Sequence, residues 1–171
     1  MAGKNVQKIF CCRLQINQHN LADISKPISE TEDSKEEYIN TENLPEKKLN
    51  IFLASTAAGA LRIGLSFDGT LDCVSYFRPI FPQNQTVENR DINQPLIRGV
   101  HAALHNQTLP FSIKYDFTLT AFTKSVLNTI QSIPFGTTRS YKEIGRIIGR
   151  PMSARAIGQA LGKNPLPLIF P

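Results

Sequence analysis

The stretch Ser140-Tyr141-Lys142-Glu143-Ile144-Gly145-Arg146-Ile147-Ile148-Gly149-Arg150-Pro151-Met152-Ser153-Ala154-Arg155-Ala156-Ile157-Gly158-Gln159-Ala160-Leu161-Gly162 decides the architecture of this chain. Ser140 and Glu143 have the S-x-x-E spacing in which hydroxyl and carboxylate reciprocally satisfy the free amides of a helix start. Ile144, Ile147 and Ile148 give that helix an inward face, and Gly149 with Pro151 closes it. Ser153 is placed to cap a second helix over 154–161, which stops at Gly162. Two short capped helices across a tight Gly-Arg-Pro turn make a helix-turn-helix pattern. On the second helix Ala154, Ile157 and Leu161 stand at i, i+3 and i+7 and are expected to be buried. Arg155, Gly158, Gln159 and Gly162 then share the opposite side, where a cation, an amide and two glycines let a helix backbone approach another surface closely.

Working outward, Thr120 can cap a preceding helix whose apolar stripe is Phe122, Val126, Ile130 and Ile133, ended by Pro134; Phe135-Gly136-Thr137-Thr138 reads as a turn. This helical module is basic. From residue 118 to 171 there are seven basic residues against one acid, Glu143, a net of +6, whereas residues 1–117 carry 12 basic and 13 acidic residues, a net of -1. A basic module joined to a neutral one suggests a face that meets a polyanion, with Arg139, Arg146, Arg150, Arg155 and Lys163 placed to neutralise phosphates. The plainer readings are a solvated basic surface, a surface salt bridge for Arg155 and tight helix packing for Gly158; the architecture carrying the charges favours the polyanion.

Upstream, Leu49 to Ser55 and Gly59 to Phe67 read as strands, the second alternating with period 2. Asp68-Gly69 is a hairpin signal, so 71–77 is expected to return as a strand ended by Pro79 and Pro82. Asn93 to Asn106 fits a helix with Leu96, Ile97, Val100 and Leu104 inward, and Phe111 to Phe117 alternates as another strand. The expected fold class is α+β: a small unit over 49–117 with an antiparallel sheet, then the helical module over 118–171. Residues 1–48 are expected to be variable and flexible, since 25–48 is Ser-, Thr-, Glu-, Asp-, Asn-, Lys- and Pro-rich.

Composition narrows the class. At 171 residues and 41% hydrophobic content, with a mean hydropathy of -0.19, the chain reads as a soluble globular protein. No apolar run reaches the roughly 18 to 20 residues of a membrane span. Three cysteines make a disulfide framework unlike this chain and a reducing compartment the expectation.

Three segments together, Ile133-Pro134-Phe135-Gly136-Thr137-Thr138-Arg139-Ser140-Tyr141, Ser153-Ala154-Arg155-Ala156-Ile157-Gly158-Gln159-Ala160 and Asn164-Pro165-Leu166-Pro167-Leu168-Ile169, closely resemble the methylated-DNA–protein-cysteine methyltransferases, with their motif order IPxGxTxSY, RAVGxA and NPxPIxxPCHRV. The specific match covers 118–171; the unit before it resembles the family's ribonuclease-H-like N-terminal domain more weakly, and the helical module its winged-helix or helix-turn-helix DNA-binding domain. The resemblance implies a monomeric DNA-repair protein of the cytoplasm, or of the nucleus in a eukaryote, that needs no cofactor or metal. Its partner would be double-stranded DNA containing alkylated guanine, bound in the minor groove. The base would be flipped out, and its alkyl group passed irreversibly to a cysteine thiolate. By matching motif positions, Arg155 would fill the gap left by the flipped base and Tyr141 would act at the neighbouring phosphate. Gly158 would permit close approach, and Ser140 and Gln159 would lie on the same DNA-binding face. Asn164 would be the hinge between recognition helix and active-site loop, and Pro167 would line the guanine pocket.

The departure from the family lies at the C-terminus. The motif puts the nucleophilic cysteine immediately after Pro171, so no catalytic residue is expected within the chain as given, which would be inactive by itself. Cys11, Cys12 and Cys73 are expected to be no substitute, Cys73 being a buried thiol of a strand. Leu127 stands where the family usually has Trp, and Leu119 where it often has Gly. The ending in 166–171 without a polar close reads as a fragment, a shortened gene product or an interrupted reading frame. Two other readings stand beside the first: a lesion-binding protein without an acceptor thiol, and a helix-turn-helix regulator, which would need long polar side chains for major-groove readout. His101 and His105, at i and i+4, have a ligand-compatible spacing for zinc, with Cys11, Cys12 or His19 as distant partners; the expectation is no metal.

Overall fold

The computed structural model describes residues 7–16, 48–67, 69–107 and 112–171. Four strands, β1 (Lys8–Ile16), β2 (Leu49–Ser55), β3 (Ala60–Ser66) and β4 (Gln85–Glu88), form one sheet in the order β3-β2-β1-β4. β1 runs antiparallel to β2, from Phe10 opposite Ser55 to Ile16 opposite Leu49, and β2 antiparallel to β3. β4 lies parallel to β1, Lys8 beside Gln85 and Cys11 beside Glu88, so the sheet is mixed where an antiparallel one was expected.

β1 corrects the reading of the N-terminal segment as wholly flexible. Its residues alternate between two apolar layers: Ile9 and Cys11 join Phe52, Ala54, Cys73 and Phe77, whereas Cys12 joins Ile51, Leu53 and Ile63. A strand fed by two cysteines and interrupted by Arg13 and Gln15 has little apolar signature of its own, and its place between β2 and β4 comes from pairing. The Ser- and Glu-rich stretch expected to be a loop falls, up to residue 47, outside the described residues.

The layer over one face is a helix where a strand was expected. α1 (Cys73–Phe77) starts at Asp72, whose carboxylate accepts from the Ser75 amide at 2.7 Å and its hydroxyl at 3.1 Å. That cap satisfies a helix start locally, which a seven-residue alternation could not outweigh. Tyr76 of α1 stacks on Phe52 at 4.4 Å between centroids, in space that a Cβ on Gly64 would occupy. Over the other face, α2 (Gln94–Leu104) buries Leu96, Ile97 and Val100 as expected. Just ahead of it Asn93, fully buried, donates from Nδ2 to the carbonyls of Phe10 (3.0 Å) and Asn89 (2.8 Å), fixing the helix start to β1. The strand expected at 111–117 shrinks to a single bridge between Ala60 and Tyr115, flanked by Ala60 N to Lys114 O and Asp116 N to Ala60 O, both 2.8 Å.

Three helices follow: α3 (Ala121–Gln131), α4 (Tyr141–Ile147) and α5 (Ala154–Gly162). Thr120 caps α3 by accepting from Thr123 N at 3.1 Å. Val126 and Ile130 meet Ile144, Ile157 and Ala160 in a helical core. Leu127, on another side of α3, packs in the sheet core with Leu96, Leu166, Ile169 and Phe170, so the two parts of the chain share a core. Two expected inward residues are not inward. Ile147, the last residue of α4, is 62% exposed, and Ala154 is exposed as the first residue of α5. Ile157, Ala160 and Leu161, at i, i+3 and i+4, carry the packing of α5 instead. Among the described residues no helix is long and apolar enough to cross a membrane.

Candidate nucleic-acid interface

The start of α4 is built by the expected reciprocal cap. Ser140 donates from its amide (2.7 Å) and its hydroxyl (2.8 Å) to Glu143 Oε2, and Ser140 Oγ accepts from Glu143 N at 3.3 Å. The Ser140 amide, more than the nearby Arg139, holds the Glu143 carboxyl below its ordinary range; Arg139 lies 3.6 Å away as an i, i+4 ion pair. Ser140 is therefore engaged in the cap, and Tyr141 is set at the first helical position, half exposed.

The turn between α4 and α5 rests on a glycine that the sequence reading passed over. Arg150 N donates to Gly145 O at 2.7 Å, and a Cβ on buried Gly145 would stand 2.8 Å from Arg150 O. The available signal was a glycine inside a helical pattern, which often marks close backbone approach. Gly149, at φ +70°, turns the chain out of α4. Ser153 does not cap α5 with its side chain: its hydroxyl donates to Arg150 O at 2.6 Å, closing the turn instead.

α5 buries Ile157 and Ala160 and turns Ala154, Arg155, Ala156, Gln159 and Gly162 to solvent. Gly158 is half-buried beneath the Tyr141 ring, and a Cβ there would lie 3.2 Å from Tyr141 Cε2. Tyr141 and Gly158 are thus brought together across two helices, with Arg155 and Gln159 exposed on the second. The exposed side of α5 thus combines small residues, Ala154, Ala156 and Gly162, with one cation and one amide.

Asn164 closes the segment after α5. Its Oδ1 accepts from Leu166 N at 3.0 Å, and its Nδ2 donates to Phe170 O at 2.6 Å. Ile63 N donates to Pro165 O at 2.8 Å and Gln131 Nε2 to Ile169 O at 3.3 Å, which ties the loop to β3 and α3. Leu166, Leu168, Ile169 and Phe170 wall a cavity of about 1130 Å³ with Tyr115 and Phe135 among its other sides; Pro167 is not one of the lining residues.

All three cysteines are unpaired and buried. Cys73 lies in α1, not in the expected strand. The Cys11 thiol, hydrogen-bonded to Cys73 and desolvated, titrates far above the ordinary thiol range. Burial pushes Cys12 up to about 11. Cys11 and Cys12 therefore stay protonated at neutral pH and are poor nucleophiles, whereas the hydrogen bond with Cys11 holds the Cys73 thiol below its ordinary range. His101 and His105 stack at 6.3 Å, with His105 Nδ1 hydrogen-bonded to His101 O at 2.8 Å. Among the described residues no three His, Cys, Asp or Glu side chains gather to hold a metal; His19 lies outside them.

With this geometry in hand, similarity to known proteins is specific. Residues 121–171 match the family described as 6-O-methylguanine DNA methyltransferase, DNA binding domain. The inducible methylated-DNA–protein-cysteine methyltransferase of Bacillus subtilis is 30% identical over 125 residues, 73% of this chain and 70% of that protein. A methylated-DNA–protein-cysteine methyltransferase of Methanosarcina acetivorans is 38% identical over 85 residues, 50% of this chain and 54% of that protein, so the chain spans only about half of this second relative. Among solved structures, Mycobacterium tuberculosis OGT in complex with DNA superposes with a TM-score of 0.53 at 25% identity, covering 71% of this chain and 68% of that one. The motifs, the mixed fold and a relative matched over most of its length agree: the chain belongs to the methylated-DNA–protein-cysteine methyltransferase family.

Proposed function

We propose that this chain supplies the DNA-recognition surface of a direct-reversal repair protein acting on 6-O-methylguanine in double-stranded DNA. The observation that carries the reading is the seating of Tyr141 on Gly158 beside exposed Arg155, on a helix whose outward residues are small. A helix of this shape can enter the minor groove, where wedging side chains unstack and bend the duplex. Flipping the alkylated base costs a few kcal/mol of stacking and pairing, least at a damaged pair. Arg155 fills the vacated stack, Tyr141 presses on the adjacent phosphate, and Gly158 and Gln159 let the backbone approach. Asn164 joins this helix to the loop that continues toward the acceptor. In the reaction the O–CH3 bond of the base breaks and an S–CH3 bond forms, leaving guanine and a thioether. The acceptor is the cysteine the family motif puts after Pro171. Cys11, Cys12 and Cys73 do not serve, because all three are buried in the sheet layers.

In this reading the sheet part, β1 with 49–117, is the ribonuclease-H-like unit. Residues 118–171 are the helix-turn-helix unit, related to winged helices, and Pro167 belongs to the loop on which the guanine pocket is built. The protein works as a monomer without cofactor or metal in the cytoplasm, or in the nucleus of a eukaryote; three free thiols suit that reducing setting. A lesion binder that never transfers the methyl group is the second reading, favoured by the burial of every cysteine within 1–171.

The test is titration of the 171-residue chain onto duplexes with 6-O-methylguanine or guanine at one position, with intact mass before and after. Tighter binding to the lesion duplex and an unchanged mass are expected. Equal affinity for both duplexes overturns the recognition reading, and a methyl gained on Cys11, Cys12 or Cys73 overturns the acceptor assignment.

A further inference from the structure

Met152, the turn residue before Ser153, is 97% exposed. An apolar residue at this position ordinarily folds back onto the fourth residue of the helix, as a staple that fixes the chain's entry. Here that residue is Ile157, which is fully buried without help from Met152. Ser153 adds no side-chain cap either, because its hydroxyl closes the turn on Arg150. The start of α5 thus leaves a long apolar side chain wholly in water. It stands two residues from Arg150 and three from Arg155, both exposed, and two from the exposed Ala154. Single exposed apolar residues are common on protein surfaces. This one sits in the turn between α4 and α5, in the unit that carries seven basic residues against one acid.

Resting on the function proposed above, we infer that Met152 is a second DNA contact: an apolar wedge that enters the minor groove beside Arg155 and packs on deoxyribose and base edges. Met is among the side chains minor-groove proteins insert at base steps, and its unbranched thioether adapts to an irregular wall. Arg150 draws the duplex in through its phosphates, a salt-dependent attraction. Met152 contributes by removing apolar surface from water, which salt does not screen.

The experiment measures affinity for a duplex containing 6-O-methylguanine across a salt series, for the wild-type chain, Met152→Ala, Met152→Leu and Arg155→Ala. Met152→Ala should bind about tenfold more weakly at every salt concentration with an unchanged salt slope. Met152→Leu should keep near wild-type affinity, and neither should shift the melting temperature. Wild-type affinity in Met152→Ala, or a loss that vanishes at high salt, overturns the inference. Arg155→Ala separates the two levels: weakened binding there with Met152→Ala unaffected removes only the wedge, whereas a wild-type chain that ignores the duplex removes the recognition function and the wedge with it.

Discussion

The ring of Tyr141, on α4, lies against Gly158, on α5, so closely that a methyl group on Gly158 would stand 3.2 Å from Tyr141 Cε2. The contact makes one surface out of two helices, and the position of each residue depends on the other.

Gly158→Ala therefore pulls in two directions. Alanine in a helix interior is favoured over glycine by about 1 kcal/mol, while Tyr141 must yield by a few tenths of an ångström. The expected outcome is a melting temperature at or slightly above wild type together with weaker DNA binding, checked by calorimetry and a binding titration on the same preparation. A variant with both properties unchanged would show that the ring has room to spare.

Arg155→Ala removes a side chain that is exposed, so folding stability should stay within about 0.5 kcal/mol of wild type. Lesion-duplex affinity should fall, and the loss of one cation from the interface should make the salt dependence of binding shallower. Fluorescence of 2-aminopurine placed opposite Arg155's expected insertion step reports whether the base still leaves the stack.

Asn164→Ala takes two hydrogen bonds from the loop at once, those to Leu166 N and Phe170 O. The partners lie on a segment whose side chains are buried in the sheet core, so a loss of about 2 to 3 kcal/mol is expected. Chemical denaturation measures the loss, and faster amide exchange at Leu166 would locate it. Unchanged exchange there would mean that Pro165 and Ile169 hold the loop without Asn164.

Cys12 predicts an alkaline limit to stability. Its folded thiol is pushed up to about 11 from an ordinary value of 9.0, by burial. A raised value means the unfolded chain releases its proton first, so stability is whole below pH 9.0 and declines as pH rises toward about 11. The decline attributable to this thiol is about 2 to 3 kcal/mol. Cys12→Ala should lose less stability over the same interval than wild type does, read from urea midpoints at successive pH values.

Much of the helical module was legible because its determinants are local. The Ser140 and Glu143 cap, the Thr120 cap and the apolar stripe of α3 each involve residues within a turn or two of one another. Arg155 and Gln159 were readable as exposed because helical periodicity alone separates them from Ile157 and Ala160. Where local signals competed, the reading failed: Asp72 converts an alternating run into α1, and Ser153 spends its hydroxyl on the turn. β1 and β4 were invisible for a different reason. A strand pair needs partners far along the chain, and the pairing of Lys8–Ile16 with Leu49–Ser55 on one side and Gln85–Glu88 on the other is written in no single segment. Tertiary structure alone decided that Gly145 must be bare to admit the Arg150 carbonyl, and that Tyr141 comes to rest on Gly158. It also left Met152 outside every apolar cluster. The sequence by itself determined α2 to α5, the Thr120 and Ser140 caps and the charge of the helical module; close approach between segments, a property of distance in space, belonged to the fold.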